Sequence, residues 1–314
     1  MKHLSRAFDG QNQWWKYLVV IAVALIVGQL VGAIPLVVAM GIAIAMNGGE
    51  MATPDNAMNF AAYGIDPNLG LALMVIPFIV TLVLAIVLIK ALHQRTAVDV
   101  VNGGRPFRWN RFWLGILVWG AIMLLIFGAQ LLINPGELEF RFNATSFFIL
   151  VVVAILFIPV QSGTEEFIFR GYLAQGVAGW TKKGWLVILI PSLLFALMHA
   201  ANPEVKEHGF WMMMPQYFIF GVAFAVMAVL DDGIELAIGT HAVNNTLGAI
   251  LVTSKESAIQ TPSLFFQKEV DPAGEFVTLF ISSLIMLLVY KLILKWDFTV
   301  IWKKIELPVI KEKV

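Results

Sequence analysis

The chain has 314 residues, 59% of them hydrophobic and only 13% charged, about half the charged share of an average soluble domain. Lys plus Arg and Asp plus Glu balance at 21 each, so net charge points to no nucleic-acid partner. The absence of cysteine excludes disulfides, thiolate metal sites, a cysteine nucleophile and palmitoylation.

Apolar segments recur at about 17–46, 68–92, 113–133, 145–179, 184–201, 211–230, 233–253 and 275–294, each near or above the ~20 residues that a span requires. The fold class expected is all-α: one polytopic transmembrane domain over 1–314 with about eight helices and no soluble domain or internal repeat. The first run follows a short basic stretch (Lys2, Arg6, Lys16) and is too long for a signal-peptide core, so it reads as a retained span. Loop 47–67 has no Lys or Arg, whereas the next holds Lys90, Arg95, Arg105, Arg108 and Arg111. Lys182 and Lys183 follow the fourth segment, and Lys291, Lys295, Lys303, Lys304, Lys311 and Lys313 lie toward the C-terminus. Basic residues thus favour alternate loops, which places both termini in the cytoplasm of a prokaryotic plasma membrane. Trp14, Trp15, Trp113, Trp180, Trp185 and Trp296 sit near span ends, where an aromatic belt is expected.

The fourth segment is longer than a bilayer needs. Pro159 and Gly163 could break it, but two full spans there would reverse everything downstream and put the basic C-terminal stretch outside. An unbroken helix is the expectation.

Ionisable groups inside spans are costly and mark sites. Glu165-Glu166 precede Arg170, and the i, i+4 spacing lets Glu166 pair with Arg170 on one helix face. Glu165 is turned about 100° away and has no local cation, as suits a base. Segments four and five form a hairpin turning near Lys182, with Glu165 and His199 equally far from the turn. They should therefore face each other at one depth. His241 and Asn245, again i and i+4, project from one face of segment seven. Asp231, Asp232 and Glu235 lie at a turn and read as a solvated loop.

A carboxylate and an imidazole can hold and deprotonate a water for attack on an amide carbonyl, with imidazole and amide N–H groups stabilising the oxyanion. The same Glu165, His199 and His241 could instead ligate a divalent cation such as zinc, and the spacing does not choose between no cofactor and one metal. No H-E-x-x-H, Gly-x-Ser-x-Gly or aspartyl motif competes.

Three motifs carry a resemblance: Glu165-Glu166-Phe167-Ile168-Phe169-Arg170, Phe195-Ala196-Leu197-Met198-His199 and His241-Ala242-Val243-Asn244-Asn245. In order, on successive apolar segments, they resemble the CPBP family (CAAX proteases and bacteriocin-processing enzymes, also called Abi), with a catalytic core at 145–253. The resemblance implies an eight-helix intramembrane endopeptidase acting on a peptide or membrane-protein substrate in the bilayer. It further implies that Glu165 and His199 activate water, that His241 and Asn245 stabilise the oxyanion, and that Arg170 supports Glu166. The family is commonly labelled metalloprotease, although a metal-free glutamate mechanism has been proposed for it. The amide of Asn245 favours the metal-free form. Two other readings share these features: a transporter with an intramembrane proton path, and a non-catalytic membrane immunity or scaffold protein of the same fold.

Overall fold

The computed structural model describes residues 1–9, 11–46, 59–258 and 260–306, and each of the eight expected segments is helical. In chain order these are α1 (Trp14–Met46), α2 (Pro67–His93), α3 (Trp109–Ile133), α4 (Ala144–Thr181), α5 (Gly184–Met198), α6 (Phe210–Leu230), α7 (Glu235–Leu251) and α8 (Pro272–Leu294). Six are long and apolar enough to cross a membrane; α5 and α7, at 15 and 17 residues, are shorter. The protein is an all-α polytopic membrane protein. Large apolar side chains such as Leu117, Leu125, Leu132 and Leu292 stand exposed along α3 and α8. Water would penalise that surface, whereas lipid accommodates it. The basic positions Lys311 and Lys313, and most of loop 47–67, lie outside the described residues.

The fourth segment is unbroken. It runs for 38 residues in all, continuing through Pro159, and a π-helical stretch, Phe167–Leu173, follows the glutamate pair directly. Such widened turns are rare in helices and recur at functional sites. The hairpin turn falls where expected, with Lys182 in the left-handed conformation at φ 55°.

Helix α7 is set deep against α3. A Cβ on Gly239 would lie 2.0 Å from the carbonyl oxygen of Phe112, and one on Gly115 2.5 Å from that of Leu236. Only glycine lets the two backbones approach this closely, and the contact fixes the face from which His241 and Asn245 project.

The two ends of the bundle differ. At one, the N-terminal residues dock against the 93–109 connection and the 230–235 turn, and Lys183 bridges Lys304. At the other, strands β1 (Leu138–Phe140), β2 (Val252–Thr253) and β3 (Phe265–Gln267) form a small sheet in the order β1-β3-β2. There β3 pairs antiparallel to β1 and parallel to β2. The described part of the chain therefore begins and ends at the face opposite the sheet, as an even number of crossings requires.

Two expectations are corrected here. The Asp231–Glu235 turn is not a solvated loop. Asp231 is 7% exposed and Glu235 fully buried, because residues far away in sequence neutralise them. Arg108 reaches Glu235 at 2.6 Å and Asp231 at 3.1 Å, Arg111 reaches Asp231 at 2.9 Å, and Arg105 reaches Asp232 at 3.2 Å. Burial still raises the Asp231 carboxyl above its usual range, against the pull of Arg108 and Arg111. Trp296 is not a belt residue either: it is buried beside Tyr290, whereas Trp14, Trp15, Trp113, Trp180 and Trp185 are exposed.

Candidate active site

A cavity of about 640 Å³ opens at the sheet end of the bundle. Its walls include Glu165 from α4, His199 from the end of α5, and His241, Asn244 and Asn245 from α7. The shortness of α5 makes room for it. That helix stops at Met198, and a short helix, Pro203–His208, turns across the mouth. Glu165 and His199 thus border one space, as the hairpin spacing implies.

Arg170 is fully buried and donates to Glu166 Oε1 at 3.0 Å and to the carbonyl oxygen of Gly221 at 3.2 Å. Its guanidinium lies 4.1 Å from the Phe195 ring centroid, which supplies a cation–π contact where water is excluded. Glu166 Oε1 also lies 2.9 Å from His241 Nδ1. Beside a guanidinium this carboxylate can only accept, so Nδ1 carries the imidazole proton. In the neutral ring Nε2 is then an acceptor, and Asn245 Nδ2 donates to it at 3.1 Å. Phe224 stacks on the same ring, with centroids 4.9 Å apart.

His199 obeys the same logic. Its Nδ1 lies 2.8 Å from the carbonyl oxygen of Phe195, which cannot donate, so the proton sits on Nδ1 and Nε2 holds the lone pair. The ring stacks on Tyr217 at 4.3 Å. Tyr217 in turn donates to Glu204, and Asn202 donates to Glu204 at 3.0 Å.

Glu165 has a different environment from Glu166. Gln161, one turn earlier, donates to its Oε1 at 2.7 Å, while Oε2 accepts no hydrogen bond among the described residues and lies 3.6 Å from His241 Nε2. Asn245 Nδ2 donates to Gln161 Oε1 at 3.0 Å, so the amide of Gln161 joins the two motif residues. Sequence reasoning did not single out Gln161, Asn244 or Tyr217. The available signal for Gln161 was its i, i+4 spacing from Glu165 in an apolar helix.

Among the described residues no three His, Asp or Glu side chains converge as a cation site. Glu165 and His241 approach one another, and the Nδ1 of each histidine is committed to an acceptor, which leaves Nε2 as the lone-pair nitrogen of each ring.

No solved structure matches the chain. It is 27% identical over 278 residues to an uncharacterized protein, YyaK, of Bacillus subtilis (strain 168), covering 88% of this chain and 90% of the relative. Residues 144–247 match the family described as type II CAAX prenyl endopeptidase Rce1-like. The matched stretch contains Glu165, His199, His241 and Asn245, so these cavity residues lie in a segment similar to the Rce1-like family, in agreement with the CPBP resemblance of the three motifs.

Proposed function

We propose that this protein is an intramembrane endopeptidase that hydrolyses a peptide bond with water activated by Glu165. One observation carries the reading: the Glu165 carboxylate, whose buried Oε2 has no hydrogen-bond partner among the described residues, belongs to a residue that lines the same cavity as two histidines whose tautomers are set by their neighbours.

Water can donate one proton toward the Glu165 carboxylate and the other toward His199 Nε2, leaving an oxygen lone pair for the substrate carbonyl carbon. As the C–O bond forms, Glu165 takes the first proton. When the C–N bond breaks, Glu165 returns it to the leaving amine, so no net proton is consumed in the step. One N–H of Asn245 is held by Gln161. The other, resting on His241 Nε2, can turn to the oxyanion. The neutral His241 ring, with its proton on Nδ1, orients Asn245 through Nε2.

The basic residues support an orientation. Among the described loops at the cavity end only Arg141, Lys206, Lys255 and Lys268 are basic, and the remaining loop bases lie at the other end. Positive-inside counting then favours both termini on the cytoplasmic side and a cavity that opens outward. That favours a substrate segment arriving from the outer face or the bilayer over a prenylated cytosolic C-terminus.

Purified protein incubated with a labelled peptide library should yield new termini, and Glu165→Gln should yield none. Intact peptides with the unaltered chain would support a non-catalytic membrane protein instead. Single cysteines at Lys182 and Ser257, in a chain that otherwise has none, should label from opposite sides of the membrane. Labelling of Ser257 from the cytoplasm would reverse the orientation.

A further inference from the structure

Four hydrogen bonds run in one direction across three helices. Trp119 Nε1 on α3 donates to Asn244 Oδ1 at 3.0 Å. Asn244 Nδ2 donates to Asn245 Oδ1 at 3.0 Å, both on α7. Asn245 Nδ2 donates to Gln161 Oε1 at 3.0 Å, and Gln161 Nε2 donates to Glu165 Oε1 at 2.7 Å, both on α4. The bond to the carboxylate is the shortest, as a charge-assisted bond should be.

The ends of the chain determine its sense. An indole N–H can only donate, and an ionised carboxylate can only accept. Given those ends, every amide between them has one orientation. Flipping any of the three would set two donors or two acceptors against each other at 3 Å. Ser162 Oγ, which also donates to Gln161 Oε1 at 3.1 Å, agrees with the assignment. The anchor is firm: Trp119 is 3% exposed and packed edge-on against Phe220.

We propose that Trp119, Asn244 and Gln161 are positioning residues that act as one unit, holding Asn245 and fixing the orientation of the Glu165 carboxylate that accepts the proton. This rests on the endopeptidase reading for its catalytic consequence, although the chain itself can be observed without it. A half-satisfied chain would leave two amides free to rotate near the base. Because bonds in such chains polarise one another, loss at the far end should be felt at Glu165.

Two measurements test the proposal. In detergent-purified protein labelled with ¹⁵N-tryptophan, the Trp119 indole resonance is identified by its absence in Trp119→Phe, and Gln161→Met, three bonds along the chain, should shift it. On a library peptide that the unaltered protein cleaves, Gln161→Met should lower kcat by about 10–100-fold, the worth of a hydrogen bond to a charged group. Trp119→Phe, which keeps a ring and loses the N–H, should lower kcat about fivefold. KM should change less than kcat in each, because the chain acts on the Glu165 carboxylate. The double variant should be no slower than Gln161→Met alone, since that change already cuts the chain. An unmoved resonance, a normal kcat in Trp119→Phe, or additive losses in the double variant would overturn the unit. Cleavage that survives Glu165→Gln, or no cleavage by the unaltered protein, would instead refute the endopeptidase reading, and the resonance would still decide whether the chain exists.

Discussion

Removing the guanidinium of Arg170 tests how the buried charges are held. Arg170, Glu166 and His241 lie together with side-chain exposures of 0%, 0% and 5%. Arg170→Met keeps much of the side-chain length but loses the bonds to Glu166 and Gly221, together with the contact over Phe195. Among the described residues Glu166 is left with His241 Nδ1 as its remaining donor, and its other oxygen has no partner. Stranding one member of a buried pair typically costs about 3–5 kcal/mol, a large fraction of the roughly 5–15 kcal/mol that stabilises a folded domain. At about 2–4 °C per kcal/mol, melting in detergent should fall by on the order of 10 °C. The double variant Glu166→Gln/Arg170→Met is the informative control. Its amide oxygen can still accept from His241, and no charge is stranded, so it should recover more than half of the loss. Thermal unfolding followed by tryptophan fluorescence and monodispersity reads both variants. If Arg170→Met melts within about 2 °C of the parent, or the double variant is worse than the single, the stranded-charge argument is wrong.

Three further outcomes follow from the same geometry. Glu165→Gln keeps an acceptor for Gln161 and removes the base, so cleavage should vanish while the melting temperature stays within about 2 °C. Loss of folding in that variant would instead mark Glu165 as structural. Asn245→Ala should slow turnover by about 10²–10³ with little change in KM, and chelators should leave a rigorously purified enzyme unaffected. Stoichiometric metal lost together with activity, and regained with Zn²⁺, would reassign Glu165, His199 and His241 as ligands or base. His3 is fully buried, and desolvation holds its imidazole down to about 4 from an ordinary value of 6.5. The unfolded or undocked segment therefore binds a proton more readily than the docked one. Docking is fully stabilised above about pH 6.5 and weakens progressively down to about pH 4, so amide exchange in residues 2–8 should accelerate across that window. Exchange independent of pH in the same range, after correction for the intrinsic rate, would contradict it.

What the sequence determined by itself is what is local along the chain. The length of each apolar run sets which segments enter lipid, because a span must satisfy its own backbone. The 3.6-residue period puts Glu166 with Arg170 and His241 with Asn245 on shared faces and turns Glu165 away. The hairpin at Lys182 needs only equal rise per residue to bring Glu165 and His199 to one depth, and the cavity contains both. Tertiary structure decided what depends on distant partners. Asp231 and Glu235 read as a wet turn because their arginines lie more than 100 positions away, and only packing brings Arg108 and Arg111 onto them. The same holds for the ring protons of His199 and His241, which are set by the Phe195 carbonyl and by Glu166, and for Gln161, whose amide joins Glu165 to an asparagine 84 positions later. A hydrogen bond between helices has no period in sequence. Its donor and acceptor meet only after glycines such as Gly239 have let two helices close to contact, and that closure is a property of the bundle as a whole.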